Sequence, residues 1–273
     1  MRLQDGRALR VHDSADGSAA ESFTVLWHHG SPQTGAPLEP LLSAAADRGI
    51  RLLSYGRPGY GGSSPRPGRT VASAAWDVAR IADAFGIDRF AVMGASGGGP
   101  HALACAALLP DRVTAVACLA GLAPLDADGL DFFRGMADDG ASLRAAVEGR
   151  PARELQEETD EFNPESFTER DYAALAGAWS SLGRDVGLAS AAGAGGLIDD
   201  DLAFVAPWGF DVADITAPVL LVQGGRDRVV PPPHANWLLR RCRDSELWLR
   251  PGEGHISILD AAPVAMDWLQ AHS

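Results

Sequence analysis

The stretch Phe90-Ala91-Val92-Met93-Gly94-Ala95-Ser96-Gly97-Gly98-Gly99-Pro100-His101-Ala102 decides how the rest of the chain is read. Its first four residues form a short apolar run of the kind that makes a buried strand. The alanine-rich segment from Gly97 to Leu109, stopped by Pro110, reads as a helix. Between them stands the pentapeptide G-x-S-x-G, Gly94 to Gly98. On a sharp strand-to-helix turn it forces unfavourable backbone angles on the serine, and small residues on both sides let the chain segments pass closely. The hydroxyl is then held clear of the sheet at a helix N-terminus, whose dipole favours developing negative charge. Ser96 is the candidate nucleophile. A second pattern, G-x-G-x-x-A, overlaps it at Gly97 to Ala102 and matches a dinucleotide fingerprint. That fingerprint belongs to the first strand–helix unit of its fold. Here it begins after several such units, contains Pro100 and lacks a clear strand-end acid about 20 residues on.

Working outward, apolar runs alternate with helical spacing. Phe23 to His28 is a compact strand running into His29-Gly30-Ser31-Pro32, and Leu38 to Arg48 has helical periodicity. Ile50 to Tyr55 is the next strand, followed by a loop dense in Gly and Pro from Gly56 to Gly68. Thr70 is placed to cap a helix whose apolar face is Val71, Ala75, Val78, Ile81, Ala82 and Phe85, closed by Gly86. Val113 to Leu119 is a further strand. From residue 126 to about 205 helical patterns continue without a convincing strand. The rhythm resumes with Val219 to Gln223, a helix near His234 to Cys242, the strand Glu246 to Leu249 and a last helix ending near Gln270. Residues 1 to 22 read as a short hairpin and a polar turn. The alternation predicts an α/β fold with a mostly parallel sheet covered by helices on both faces.

A serine nucleophile needs a base, and the base needs an orienting acid. Gly225-Arg226-Asp227 directly follows a strand, and Gly254-His255 follows the next one. Parallel strands bring both loops to the edge where Ser96 emerges, in the order serine, acid, histidine. His234 and His272 are rival bases, and Asp126 and the run Asp199-Asp200-Asp201 are rival acids. The oxyanion formed during acyl transfer needs two backbone donors. One is Gly97 N–H, next after the nucleophile. The other is assigned to Ser31, because Pro32 has no N–H. His29 reads as packing its loop, His28 as a strand residue and His101 as a buried helix histidine. Ala95, Trp179, Trp208, Val229 and Ile256 are expected to line the pocket.

Composition narrows the chemistry. The chain has 273 residues, and its 23 Lys+Arg residues are all arginine. Without lysine there is no Schiff base, no Ser-Lys dyad and no P-loop lysine. The net charge of −13 argues against nucleic acid or an anionic membrane surface as partner. From Asp126 to Tyr172, fourteen acids face five arginines, so this segment contributes −9 of that charge. It reads either as a solvated helical surface or as a lid that disfavours anionic substrates. Cys105, Cys118 and Cys242 are scattered and unpaired in pattern, as in a reducing compartment. No signal peptide and no apolar run of roughly 18 residues is seen, so a cytoplasmic protein is expected.

Together these residues resemble the α/β-hydrolase superfamily. The marks are His29-Gly30-Ser31-Pro32, Gly56-Arg57-Pro58-Gly59-Tyr60-Gly61-Gly62-Ser63, Gly94 to Gly98, Gly225-Arg226-Asp227 and Gly254-His255, spanning residues 29 to 255. The resemblance implies an eight-stranded sheet, with a core at 1–125 and 213–273. It implies a helical cap at 126–212, inserted after the sixth strand. Ser96 is then nucleophile, His255 general base and acid, and Asp227 orienting acid. It further implies no cofactor, no metal and a small-molecule substrate; the oligomeric state is not readable. Epoxide hydrolases and haloalkane dehalogenases of this fold carry Asp at the elbow, so Ser96 points to a small carboxylic ester, with lactone, thioester, amide and C–C substrates as alternatives. The segment Asp199 to Phe210 looks like capped hydrolases near proline iminopeptidases; such peptidases hold a substrate amine with cap carboxylates, and Glu154, Glu157 and Glu158 are available for that here. The glycines after Ser96 depart from the peptidase pattern. A non-catalytic ligand receptor on the same fold is the reading from another class.

Overall fold

The computed structural model describes residues 1–15 and 23–273. Each apolar run between the glycine-rich loops becomes a strand. They are β1 (Val11–Asp13), β2 (Thr24–His28), β3 (Arg51–Tyr55), β4 (Phe90–Ala95), β5 (Val113–Leu119), β6 (Val219–Gly224) and β7 (Ser245–Arg250). They form one sheet in the order β1-β3-β2-β4-β5-β6-β7. Only β1 runs antiparallel to its neighbour. β2, β4 and β5 are buried along nearly their whole length, as a parallel sheet covered on both faces requires.

The helices between strands are α1 (Glu39–Ala46), α2 (Ser73–Ala84), α3 (Gly98–Leu108), then α4 (Ala141–Val147), α5 (Arg150–Thr159), α6 (Glu169–Ala176), α7 (Ser180–Ala191) and α8 (Gly195–Val205), and finally α9 (Pro232–Arg241) and α10 (Ala262–Ala271). Side chains alternate along β4 with the period of two expected of a strand. Phe90 and Val92 enter a core with Val78 and Ile81 of α2 and Leu103 of α3. Ala91 and Met93 enter the opposite core with Leu41 of α1 and Ala265 and Leu269 of α10.

Three expectations are corrected. Seven strands, not eight, are formed among the described residues. At the N-terminus the chain turns at Gly6, whose φ is +84°, and Arg2 and Ala8 form one isolated antiparallel bridge in place of a strand pair. The polar turn expected after it falls partly on residues 16–22, outside the described ones. The helical insertion consequently follows the fifth strand, not the sixth. Third, α2 starts at Ser73, two residues later than a cap at Thr70 implies. The N–H of Ala72 is spent on Trp208 O at 2.9 Å, and Thr70 N donates to Ser73 Oγ at 3.1 Å.

Between β5 and β6 the described residues form helices and turns and no strand, including α4 to α8. Among the described residues no helix is long and apolar enough to cross a membrane.

Candidate active site

Register sets the site. His28, Gly94, Cys118 and Leu221 are successive partners across β2, β4, β5 and β6, so the loops leaving these strands emerge at one sheet edge. The loop after β4 is the turn at Ser96, whose φ is +52°. A side chain in this left-handed region is strained and persists only where the surroundings over-determine it. They do so here. Ser96 N donates to Leu119 O at 2.8 Å, and Gly99 N to Ser96 O at 2.9 Å. A Cβ on Gly94 would lie 2.3 Å from Gly98 O, and one on Gly98 would lie 2.0 Å from His28 O. These glycines let helix α3 cross the sheet at backbone contact. The same packing answers the dinucleotide pattern: the Cβ directions of Gly97, Gly98 and Gly99 are filled by Ser31, His28 and Cys118, leaving no room there for a phosphate.

Asp227 and His255 meet as the sequence order predicts. His255 Nδ1 is 2.8 Å from Asp227 Oδ2. Asp227 Oδ1 accepts from Val229 N at 2.8 Å and Val230 N at 2.9 Å, and Gln223 Nε2 approaches Oδ2 at 3.3 Å. An ionised carboxylate only accepts, so the proton sits on Nδ1 and Nε2 is left as the basic nitrogen. Burial opposes charging this imidazole. The charge and hydrogen bond of Asp227, with a further contribution from Asp171, outweigh it and hold His255 above its ordinary value.

Ser96 and His255 line one cavity of about 560 Å³. Ser31, Gly97, Ala95, Trp179, Val229 and Ile256 line it too, as expected. Ser31 and Gly97 are juxtaposed: a Cβ on Gly97 would fall 2.5 Å from Ser31 Oγ. Trp208 is the exception. It is buried in the core with Phe204 O as acceptor for its Nε1 at 3.1 Å, and it borders a separate hollow with Phe210 and Trp237. Its apolar surface is covered by the core side of the junction, not by the pocket. Phe204, Met136, Leu143 and Leu182 supply apolar walls that sequence reasoning did not single out. Glu154 and Glu157 do not line the cavity; they pair with Arg150 and Arg153, and Glu158 is exposed. They are not placed to hold a substrate amine.

The rivals have other partners. His234 accepts from Ala123 N through Nδ1 and faces Phe132 O with Nε2, and burial lowers it to about 4. His272 stacks on Trp268 at 4.2 Å. His29 accepts from Arg57 N on Nε2, so its Nδ1 donates to Gly30 O and it packs its loop. His101 is a buried helix residue held to Gly97 O, lowered to about 3 by burial. Asp126 is exposed at the second hollow.

Of the rival acids Asp199 to Asp201, Asp200 has a structural place that sequence reasoning did not give it. Fully buried, it accepts from Ser31 Oγ at 2.6 Å, Arg57 Nη2 at 2.7 Å, Tyr60 Oη at 2.9 Å and Arg69 Nη2 at 2.6 Å. Burial pushes it upward, but Arg57 and Arg69 outweigh this and hold it far below the usual carboxylate range. Arg57 also donates to His29 O and to Ser31 Oγ, clamping the loop beside Ser96. The one signal for it was three acids in the otherwise apolar stretch Gly195 to Val205. Among the described residues no group of three or more His, Cys, Asp or Glu side chains is arranged to hold a metal ion.

Residues 24–262 match the family model for the alpha/beta hydrolase fold. A 2-hydroxy-6-oxononadienedioate/2-hydroxy-6-oxononatrienedioate hydrolase from Burkholderia vietnamiensis is 28% identical over 233 residues, spanning 84% of this chain and 78% of that protein. A hydrolase from Pseudomonas aeruginosa PA01 superposes with a TM-score of 0.74 at 24% identity, covering 99% of this chain and 95% of that one. A thermophilic esterase from Thermogutta terrifontis superposes with a TM-score of 0.71 at 20% identity over 99% and 97%. With the family match running over most of its length, the chain belongs to the alpha/beta hydrolase family.

Proposed function

We propose that the chain is a serine hydrolase that cleaves a small, uncharged carboxylic ester through an acyl-enzyme. The observation that carries this reading is an imidazole anchored to Asp227 at 2.8 Å and opening on the same cavity as Ser96. His255 Nε2 takes the Ser96 proton as Oγ attacks the carbonyl carbon. The carbonyl oxygen becomes an oxyanion facing the N–H groups of Gly97 and Ser31. The C–O bond then breaks, and His255 returns the proton to the leaving alkoxide. Water, deprotonated by the same nitrogen, attacks the acyl carbon and frees the acid and Ser96. The helical insertion at 126–212 acts as a cap over this cavity.

The preference for an uncharged substrate rests on the lining. Asp138, Asp160, Glu161 and Asp201 face only Arg153 and Arg228. Arg153 is already bound to Asp201 and Glu157, and Arg228 Nη1 donates to Glu165 O. C–C bond cleavage is the second reading, favoured by the 28% identical relative. The substrate named for that protein carries two carboxylates, which this lining does not favour.

Ser96→Ala should leave a folded protein whose turnover of short p-nitrophenyl esters falls by roughly 10³ or more. A fluorophosphonate should label Ser96. A label on another serine, or full activity in the variant, would sink the assignment. A neutral ester should be hydrolysed faster than its carboxylate-bearing analogue; the reverse order would favour the dicarboxylate reading.

A further inference from the structure

The loop carrying His255 is held from outside the core. The backbone N–H groups of Ile256 and Ser257, directly after the histidine, both donate to Asp171 Oδ1 at 2.8 Å. Asp171 belongs to α6 of the insertion and is fully buried. Its Oδ2 accepts from Thr168 N and Thr168 Oγ at 2.8 Å, which starts the helix. One carboxylate therefore begins a helix of the insertion and fixes two successive peptide groups of the histidine loop. Gly254 is adapted to this contact: a Cβ there would lie 1.9 Å from Asp171 Oδ2. The glycine before His255 is what lets the carboxylate reach the loop.

We propose that Asp171 is a positioning residue for the general base, fixing the His255 loop and adding a second negative charge within reach of the imidazole. The inference rests on the role given above to His255. Burial works against the charge on Asp171, but the N–H groups of Ser257, Thr168 and Ile256 and the Thr168 hydroxyl hold it below the ordinary carboxylate value, so it is ionised at neutral pH. The other charged groups around the junction are accounted for. Asp227 bonds His255, Arg170 pairs with Glu253 at 2.7 Å, and Asp260 accepts from Trp179 Nε1 at 2.7 Å. During attack by Ser96 the imidazole becomes imidazolium. The Asp171 charge favours that form from the insertion side, while the hydrogen bonds from Ile256 N and Ser257 N hold the loop that carries the ring.

The test reads the histidine itself. The His255 ring titration is followed by NMR in Ser96→Ala protein, with and without Asp171→Asn. Asparagine keeps an oxygen for the two peptide N–H groups and removes the charge. The His255 titration should move to lower pH by about half a unit or more. In otherwise wild-type protein, Asp171→Asn should shift the acid limb of kcat/KM the same way. It should lower kcat by about tenfold with KM held within about twofold. Gly254→Ala keeps the carboxylate but displaces it, and should move the titration in the same direction; it serves also if Asp171→Asn does not fold. An unmoved His255 titration in either variant overturns the proposal, as does lost activity with an unchanged acid limb. Ester turnover surviving in Ser96→Ala would instead remove the hydrolase reading, and leaves the titration comparison intact.

Discussion

His255 differs from its fellow histidines in what surrounds it. Burial pushes His12, His28, His29, His101 and His234 below the ordinary imidazole value, which keeps them neutral. His255 is buried as well, yet Asp227 reverses the direction. A general base acts only when deprotonated. Because His255 sits above the ordinary value of about 6.5, kcat/KM should rise with pH through a midpoint above that value. A pH–rate profile on a neutral ester checks this, and a midpoint well below 6.5 would contradict it. At this scale the sequence was legible. Chain order and strand-end placement single out Ser96, Asp227 and His255 as neighbours. Trp208 was misplaced because a tryptophan beside a Pro-Trp-Gly turn looks the same whether it faces a pocket or the core.

Elements were readable where their signals are local. The strands around β4 follow from apolar runs, and α3 from its alanine content and the stop at Pro110. Boundaries set by distant contacts were not. The start of α2 depends on Trp208 O, which captures Ala72 N from across the insertion. The approach of α3 to the sheet likewise depends on atoms far away in sequence. Gly98→Ala would place a methyl group 2.0 Å from His28 O, on rigid backbone. The helix must then move off β2 and carry the turn at Ser96 with it. A loss of about 1–3 kcal/mol in denaturant unfolding is expected, with ester turnover falling although Ser96 is intact. An alanine variant with wild-type turnover would show that the elbow tolerates a shift of α3.

On the scale of the molecule, the insertion is pinned to the core by buried aspartates, one from each of three helices. Asp171 of α6 holds the loop after β7, Asp185 of α7 accepts from Thr34 N at 3.0 Å, and Asp200 of α8 binds Arg57 and Arg69. Two of these contacts end at the proposed site, on the His255 loop and on the Ser31 loop. Asp200→Asn would leave buried Arg57 without its counter-charge and Arg69 with Asp199 alone, at 3.2 Å. A loss of about 3–5 kcal/mol in unfolding free energy is expected, together with lower ester turnover as Arg57 releases His29 O and Ser31 Oγ. A stability change under about 1 kcal/mol would mean that the arginines find other partners. The acidity concentrated in residues 126–172 thus divides into three parts. Most of it is exposed, some faces the cavity mouth, and Asp171 is structural.

The sequence by itself determined the α/β alternation, the turn at Ser96 and the order of Ser96, Asp227 and His255. Each of these is written in a local pattern: apolar periodicity, a glycine-flanked serine, a polar residue just past a strand. Only the tertiary structure decided that seven strands form among the described residues, that Trp208 leaves the pocket, and that Asp171 and Asp200 tie the insertion to the loops of His255 and Ser31. Those contacts join residues 85 and 143 positions apart. An aspartate on a helix carries the same local signal whether it meets water or a buried peptide N–H. Which of the two it meets depends on how distant elements pack, because only burial strips away the water that would otherwise satisfy it.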